Sequence, residues 1–189
     1  MSRGLGDVYK RQIHAGVGAG IILDHHLYTG LAGTAGEAGH MIVQPGGRSC
    51  PCGNHGCLEQ YISEPAVLSR YRELSGRTTV SIDDLVWAYN QKETAALAVT
   101  DEFTTYLACG INNLWNLFSP ECIILNSQLT AYLPQLLPEI LQKLSPRFRA
   151  TCHLKLSTLQ DTGVLLGAAR VCISKYLGTE KLYFSGLQP

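Results

Sequence analysis

The chain has 189 residues, 46% of them hydrophobic, and its 15 basic and 15 acidic residues cancel to a formal net charge of zero. That suits one globular domain of ordinary size and gives no electrostatic basis for nucleic-acid binding, which needs concentrated Lys and Arg. No apolar run approaches membrane-spanning length and the start carries no apolar signal core, so a soluble, cytoplasmic chain is expected.

Residues 1–12, MSRGLGDVYKRQ, lack apolar periodicity and read as an unstructured or foreign leader. Ile13 to Asp24 gives two short strand-like runs around glycines, Asp24-His25-His26 a turn, and Leu27-Tyr28 a resumed strand. The adjacent histidines on that polar turn read as a solvated pair. A glycine-rich loop over residues 30–40 leads to an apolar strand at Met41-Ile42-Val43.

From Pro65 the pattern turns helical, with Ala66, Val67, Leu68, Tyr71 and Leu74 three to four apart and a stop at Ser75-Gly76. Ser81, followed by Asp83 and Asp84, is placed to cap a helix reaching about Tyr89. The longest helical pattern runs from about Thr94 to Leu117, turning Leu97, Val99, Phe103, Leu107, Ile111, Leu114 and Phe118 towards a core, and Pro120 stops it. Trp87 and Trp115 suit packing or a subunit contact. Cys122 to Leu125 reads as a buried strand, then come a helix from about Pro134 to Leu144, a strand at His153–Ser157 and a closing helix from Val164 to Tyr176. Strands first, then alternating helix and strand, predict an α/β sheet covered by helices.

The chain has seven cysteines, an odd number. Cys109, Cys122, Cys152 and Cys172 are scattered among apolar neighbours and behave as small hydrophobes. Cys50, Cys52 and Cys57 cluster as C-x-C-x4-C, with one residue between the first two thiols, too close for an easy mutual disulfide. Zinc wants four soft or borderline ligands in a tetrahedron, and Gly53 and Gly56 let the backbone fold tightly round an ion. His40 is the nearest candidate fourth ligand, whereas His55 lies on what reads as an exposed turn tip. A redox pair or unligated thiols are the competing readings. A four-ligand metal has no open coordination position for catalysis, but it can fix Glu37, His40 and Glu59 around one pocket suited to a hydroxyl-rich ligand. If one His40 nitrogen binds metal, the other is left to hydrogen-bond a sugar oxygen.

GEAGHMIV at 36–43 followed by CPCGNHGCLE at 50–59 resembles the signature of the ROK family of bacterial sugar kinases and sugar-responsive repressors. GVGAGIILDHHLYTGLAGTAGEAGH at 16–40, NLFSPECIIL at 116–125 and DTGVLLGAARV at 161–171 extend the likeness from about residue 13 to 178. The resemblance implies an actin-like ATPase (ribonuclease H-like) α/β fold, here as the C-terminal domain only, with a zinc loop at 40–59 and a tail at 179–189. It implies sugar contacts from Glu37, His40 and Glu59, and structural Zn²⁺ on His40, Cys50, Cys52 and Cys57. Gly16, Gly18 and Gly20 resemble the second phosphate loop of the kinases, although a tight strand connection needs the same glycines.

The family's first domain, with its phosphate-binding Asp-Gly-Thr motif and its Asn-Asp pair, has no counterpart here. Neither does a helix-turn-helix. Where family kinases place glycines after the IIL strand, this chain reads Leu125-Asn126-Ser127-Gln128-Leu129, side chains that would crowd a nucleotide, so ATP is not expected. That departure, Asn54 and the Gln44-Pro45-Gly46-Gly47 approach are closer to the repressor branch, which includes repressors for N-acetylglucosamine and xylose. The expectation is therefore the sugar-sensing and oligomerising part of a repressor, a homodimer or homotetramer answering to a sugar or sugar phosphate. It would reach DNA only through a segment preceding residue 1 and would have no membrane partner. A fragment of a glucokinase-like sugar kinase and an inert sugar-binding module are the alternatives.

Overall fold

The computed structural model describes residues 8–13, 16–159 and 162–178. A five-stranded mixed sheet runs in the order β3-β2-β1-β4-β5, built from β1 (Val8–Ile13), β2 (Val17–Leu23), β3 (His26–Tyr28), β4 (Cys122–Ser127) and β5 (His153–Leu156). β1, β2 and β3 form an antiparallel meander, whereas β4 runs parallel to β1 and β5 parallel to β4. The α/β architecture expected from the sequence is thus present.

The expected leader is corrected over Val8–Gln12. This segment belongs to the central strand, paired with β4 from Val8 and with β2 from Tyr9. A strand hydrogen-bonded on both edges is held by backbone pairing, which hydropathy patterning does not report. Residues 1–7 and the expected tail 179–189 lie outside the described residues.

Eight helices accompany the sheet among the described residues: α1 (Glu59–Ile62), α2 (Glu64–Ser75), α3 (Ile82–Asn90), α4 (Thr94–Phe118), α5 (Gln128–Tyr132), α6 (Leu136–Lys143), α7 (Pro146–Thr151) and α8 (Thr162–Leu177). Their ends follow local chemistry. Ser81 and Asp84 form a capping box on α3, and Gly76 closes α2 in the left-handed conformation at φ 69°. Ser119 leaves α4 with φ 48° just ahead of Pro120. Val99, Phe103, Leu107, Ile111 and Leu114 of α4 are buried as expected, but Leu97 is 40% exposed, one step off the inward stripe. Trp115 is buried, in edge contact with Phe148 at 5.9 Å between ring centroids, whereas Trp87 is exposed. No helix among the described residues is long and apolar enough to cross a membrane.

Met41-Ile42-Val43 is not a strand. It makes one antiparallel bridge, Ile42 to Cys57, and Ile42 is exposed. Its partner segment turns into α1 at Glu59, so a ladder has no room to grow.

The loop before the cysteine segment lies directly on β2. Ala19 donates its N–H to the Gly36 carbonyl at 2.7 Å, and a side chain on Gly36, at φ +91°, would collide with the Ala19 carbonyl. A side chain on Gly39 would likewise collide with the Val17 carbonyl. Gly36→Ala should therefore destabilise by about 3 kcal/mol, combining a backbone clash with left-handed strain. Gly33→Ala, at φ +80° but with nothing within 4 Å, should cost only about 1 kcal/mol. Urea denaturation of the two variants beside the parent measures the difference.

Candidate functional site

The clustered cysteines sit in a short, hairpin-like loop. Val43 and Gln44 donate to the Gly56 carbonyl at 2.9 and 3.2 Å, Leu58 donates to Met41 at 2.8 Å, and Gly56 donates to Arg48 at 2.7 Å. At the tip, Cys50 N–H bonds the Asn54 carbonyl and Gly53 N–H bonds Cys50, both at 2.9 Å. Gly56 has φ +80°, and any side chain there would run into the Gln44 carbonyl. This glycine is what lets the two arms cross close enough to face their thiols inward.

The result is a quartet: one ligand atom from each of His40, Cys50, Cys52 and Cys57, all within 4.8 Å of one another. Cys50 Sγ lies 3.6 Å from His40 Nδ1, and Cys52 Sγ lies 3.7 Å from Cys57 Sγ. A zinc tetrahedron with ordinary bond lengths has S–S edges of about 3.8 Å and S–N edges of about 3.6 Å. The spacing and the donor set therefore fit a tetrahedral metal, and 3.7 Å is far beyond a disulfide bond. His55 is exposed at the tip, as expected, and outside the quartet.

The thiols differ in environment. Burial, followed by the hydrogen bond that the Cys57 thiol donates to Cys50, pushes Cys57 up to about 12. The exposed Cys52 is lowered, first by the backbone N–H of Asn54 and then by Cys50. A metal cation would reverse the penalty at Cys57, since coordination deprotonates a thiol outright.

His40 closes a short 3-10 turn, Ala38–His40, that packs against β2 and α1. With Nδ1 towards Cys50, its Nε2 faces outward and lies 3.9 Å from Glu37 Oε2. Glu37 is exposed. Glu59 opens α1, and its Oε2 accepts the Val17 N–H at 2.9 Å, which ties the end of the loop to the first residue of β2. Its Cβ stands beside Gly39, 3.3 Å from where a side chain on that residue would begin. Glu37, His40 and Glu59 thus border the same turn, with one oxygen of Glu59 already engaged by backbone. Of the phosphate-loop-like glycines, Gly16 lies against Glu59 Oε2, and Gly18 and Gly20 lie within β2, with Gly18 facing the Gly36 carbonyl.

Sequence patterning missed the brace behind this loop. Arg48 Nη1 donates to the Gln60 carbonyl at 2.8 Å, its other arm pairs with Glu102 on α4, and its guanidinium lies 4.5 Å over the Tyr61 ring. Glu102 also accepts from Arg70 Nε at 3.2 Å, and Tyr61 stacks on Tyr106 of α4 at 4.0 Å. A cation inside the loop with no acid within reach along the chain was the available signal.

The profile of the ROK family matches residues 2–175. The chain belongs to the ROK family. Among curated relatives of the family, the xylose repressor of Bacillus spizizenii is 32% identical over 180 residues, covering 93% of this chain and 46% of the relative. The DNA-binding transcriptional dual regulator NagC of Escherichia coli is 34% identical over 137 residues, covering 68% of this chain and 34% of the relative. The chain spans about half the length of the xylose repressors it matches. Among solved structures, a ROK family transcriptional regulator homologous to the E. coli MLC protein superposes with a TM-score of 0.76 at 29% identity, covering 94% of this chain and 48% of that one. The ROK hexokinase of Thermus thermophilus gives a TM-score of 0.75 at 24% identity, covering 93% and 60%, and shares the fold. The sheet described above is therefore a ROK-type, actin-like ATPase arrangement.

Replacing Glu102 by Leu should leave Arg48 without a carboxylate partner and Arg70 with Glu73 alone, and cost about 1–2 kcal/mol, allowing for partial exposure of the groups. The check is a lower urea midpoint with an unchanged m-value.

Proposed function

We propose that this chain is the sugar-sensing part of a ROK transcriptional repressor of carbohydrate use, in which a structural zinc on His40, Cys50, Cys52 and Cys57 shapes the floor of an effector site. One observation carries this reading: His40 turns Nδ1 into the thiol cluster while Nε2 faces Glu37. A metal on Nδ1 fixes the tautomer, leaving Nε2–H as a donor beside a carboxylate acceptor, a pair matched to sugar hydroxyls. Glu59, anchored through one oxygen to Val17, offers the other to the same ligand. Zinc supplies no chemistry here beyond fixing this geometry, because four protein ligands close its coordination sphere.

A repressor is favoured over a kinase by the far end of β4. Asn126 and Ser127 are buried side chains, and α5 starts immediately after them at Gln128. The resemblance places the bare backbone of a nucleotide site there in kinases, and side chains take up that room. The curated relatives quoted above are regulators, which agrees. In this reading an α/β domain and a DNA-contacting segment of the full-length protein complete the cleft and read the operator. Sugar closes the cleft by binding that state better than the open one, within a homo-oligomer.

Cys52→Ser should lose the metal and several kcal/mol of stability, because structural zinc binding is coupled to folding; elemental analysis and melting read both. Glu37→Gln should keep parent zinc content while weakening the response to sugar, measured by thermal-shift titration with xylose, N-acetylglucosamine and glucose. Zinc binding should release protons, since Cys57 holds its proton up to about 12, so affinity should fall as pH is lowered. Chelator competition at several pH values gives that slope. Sugar-dependent ATP hydrolysis by the full-length protein would overturn the repressor assignment.

A further inference from the structure

We propose that Gln60 tunes the metal site. Its side-chain amide donates an N–H to the Cys50 thiolate and holds zinc there more tightly than the four ligands alone would. The inference rests on the zinc reading above.

Gln60 Nε2 lies 3.7 Å from Cys50 Sγ, within reach of an N–H···S bond. A thiolate is only an acceptor, so the amide must present its NH₂ end. Three thiolates and a neutral imidazole around Zn²⁺ leave a net charge of about −1, which donors to sulfur disperse. Cys52 has such a donor in the Asn54 backbone N–H. Cys50 is only 4% exposed, so water is a poor substitute, and Gln60 takes that part.

The Gln60 backbone that carries this amide is also held in place. Gln60 N–H bonds the Cys57 carbonyl at 3.0 Å, and its own carbonyl is gripped by Arg48, whose other arm is fixed by Glu102 of α4. Arg48 in turn donates its backbone N–H to the Tyr61 hydroxyl at 3.0 Å. A residue next to Glu59 thereby links the metal to the longest helix. Gln60 is outside the quartet; it positions and polarises one of its members.

The test is zinc affinity by chelator competition on the whole chain. Gln60→Leu, similar in size but without a donor, should bind zinc about 10-fold more weakly, towards the lower end of the loss expected when a ligand's hydrogen-bond partner is removed. Gln60→Glu should lose more, because a carboxylate would face a thiolate. After cobalt substitution, the near-ultraviolet sulfur-to-metal band of Gln60→Leu should move to lower energy, since an unbonded thiolate is the stronger donor. A purely structural role would not produce that shift. In the parent loaded with an NMR-active cadmium isotope, the Gln60 side-chain amide should show coupling to the metal, a readout that needs no variant to fold. Parent affinity and an unmoved band in Gln60→Leu, or no such coupling in the metal-loaded parent, would overturn the proposal. A parent that takes up no zinc would instead overturn the zinc reading beneath it.

Discussion

The arrangement depends on a seam between β2 and the chain that crosses it. Ala19 bonds the Gly36 carbonyl, Val17 bonds the Glu59 carboxylate, and Gly39 carries no side chain where the Val17 carbonyl passes. Both bonds start from backbone N–H groups of β2, so the position of His40 is set by the sheet and not by a flexible loop. The segments on both sides of the cysteine hairpin are pinned to the same strand. What stands between them must then close, and the positive-φ glycines at 53 and 56 let it close tightly.

Behind the hairpin the polar brace performs a second task. Glu102 is the counter-ion of two arginines on different elements, Arg48 in the loop and Arg70 on α2, so the loop, α2 and α4 share one carboxylate. The Tyr61–Tyr106 stack adds an apolar contact to the same junction. Ring stacking and charge pairing weaken under different conditions, salt acting on the second and hardly on the first. The loop is thus secured from the sheet side by backbone and from the helix side by side chains.

Much of this was legible in the sequence, for physical reasons. Capping chemistry is local, so Ser81 and Gly76 marked helix ends correctly. Burial along a long helix is periodic, so α4 could be read almost to the residue. The C-x-C-x4-C spacing and the histidine ten positions earlier announced the quartet. Non-local features were hidden. β1 draws its place from partners on both edges, one of them far along the chain, and no local pattern reports that. Met41–Val43 has strand composition but lacks a partner long enough to pair with. Leu97 follows the helical spacing yet falls outside the covered stripe. The role of Gln60 was invisible because its partners, a thiol ten positions before it and an arginine twelve before it, meet it only after folding.

The sheet has one further consequence, which concerns order in time. The quartet is assembled from a short stretch, His40 to Cys57, while the centre of the sheet waits for Cys122–Ser127 to arrive beside Val8–Ile13. Short loops close fast and at small entropic cost; long ones close late. During synthesis on the ribosome the cysteine hairpin can therefore form as an early nucleus, with its anchor strand β2 already flanked by β1 and β3 and only β1 still missing a neighbour. The last strands then dock onto a scaffold whose ligand-bearing corner is already shaped.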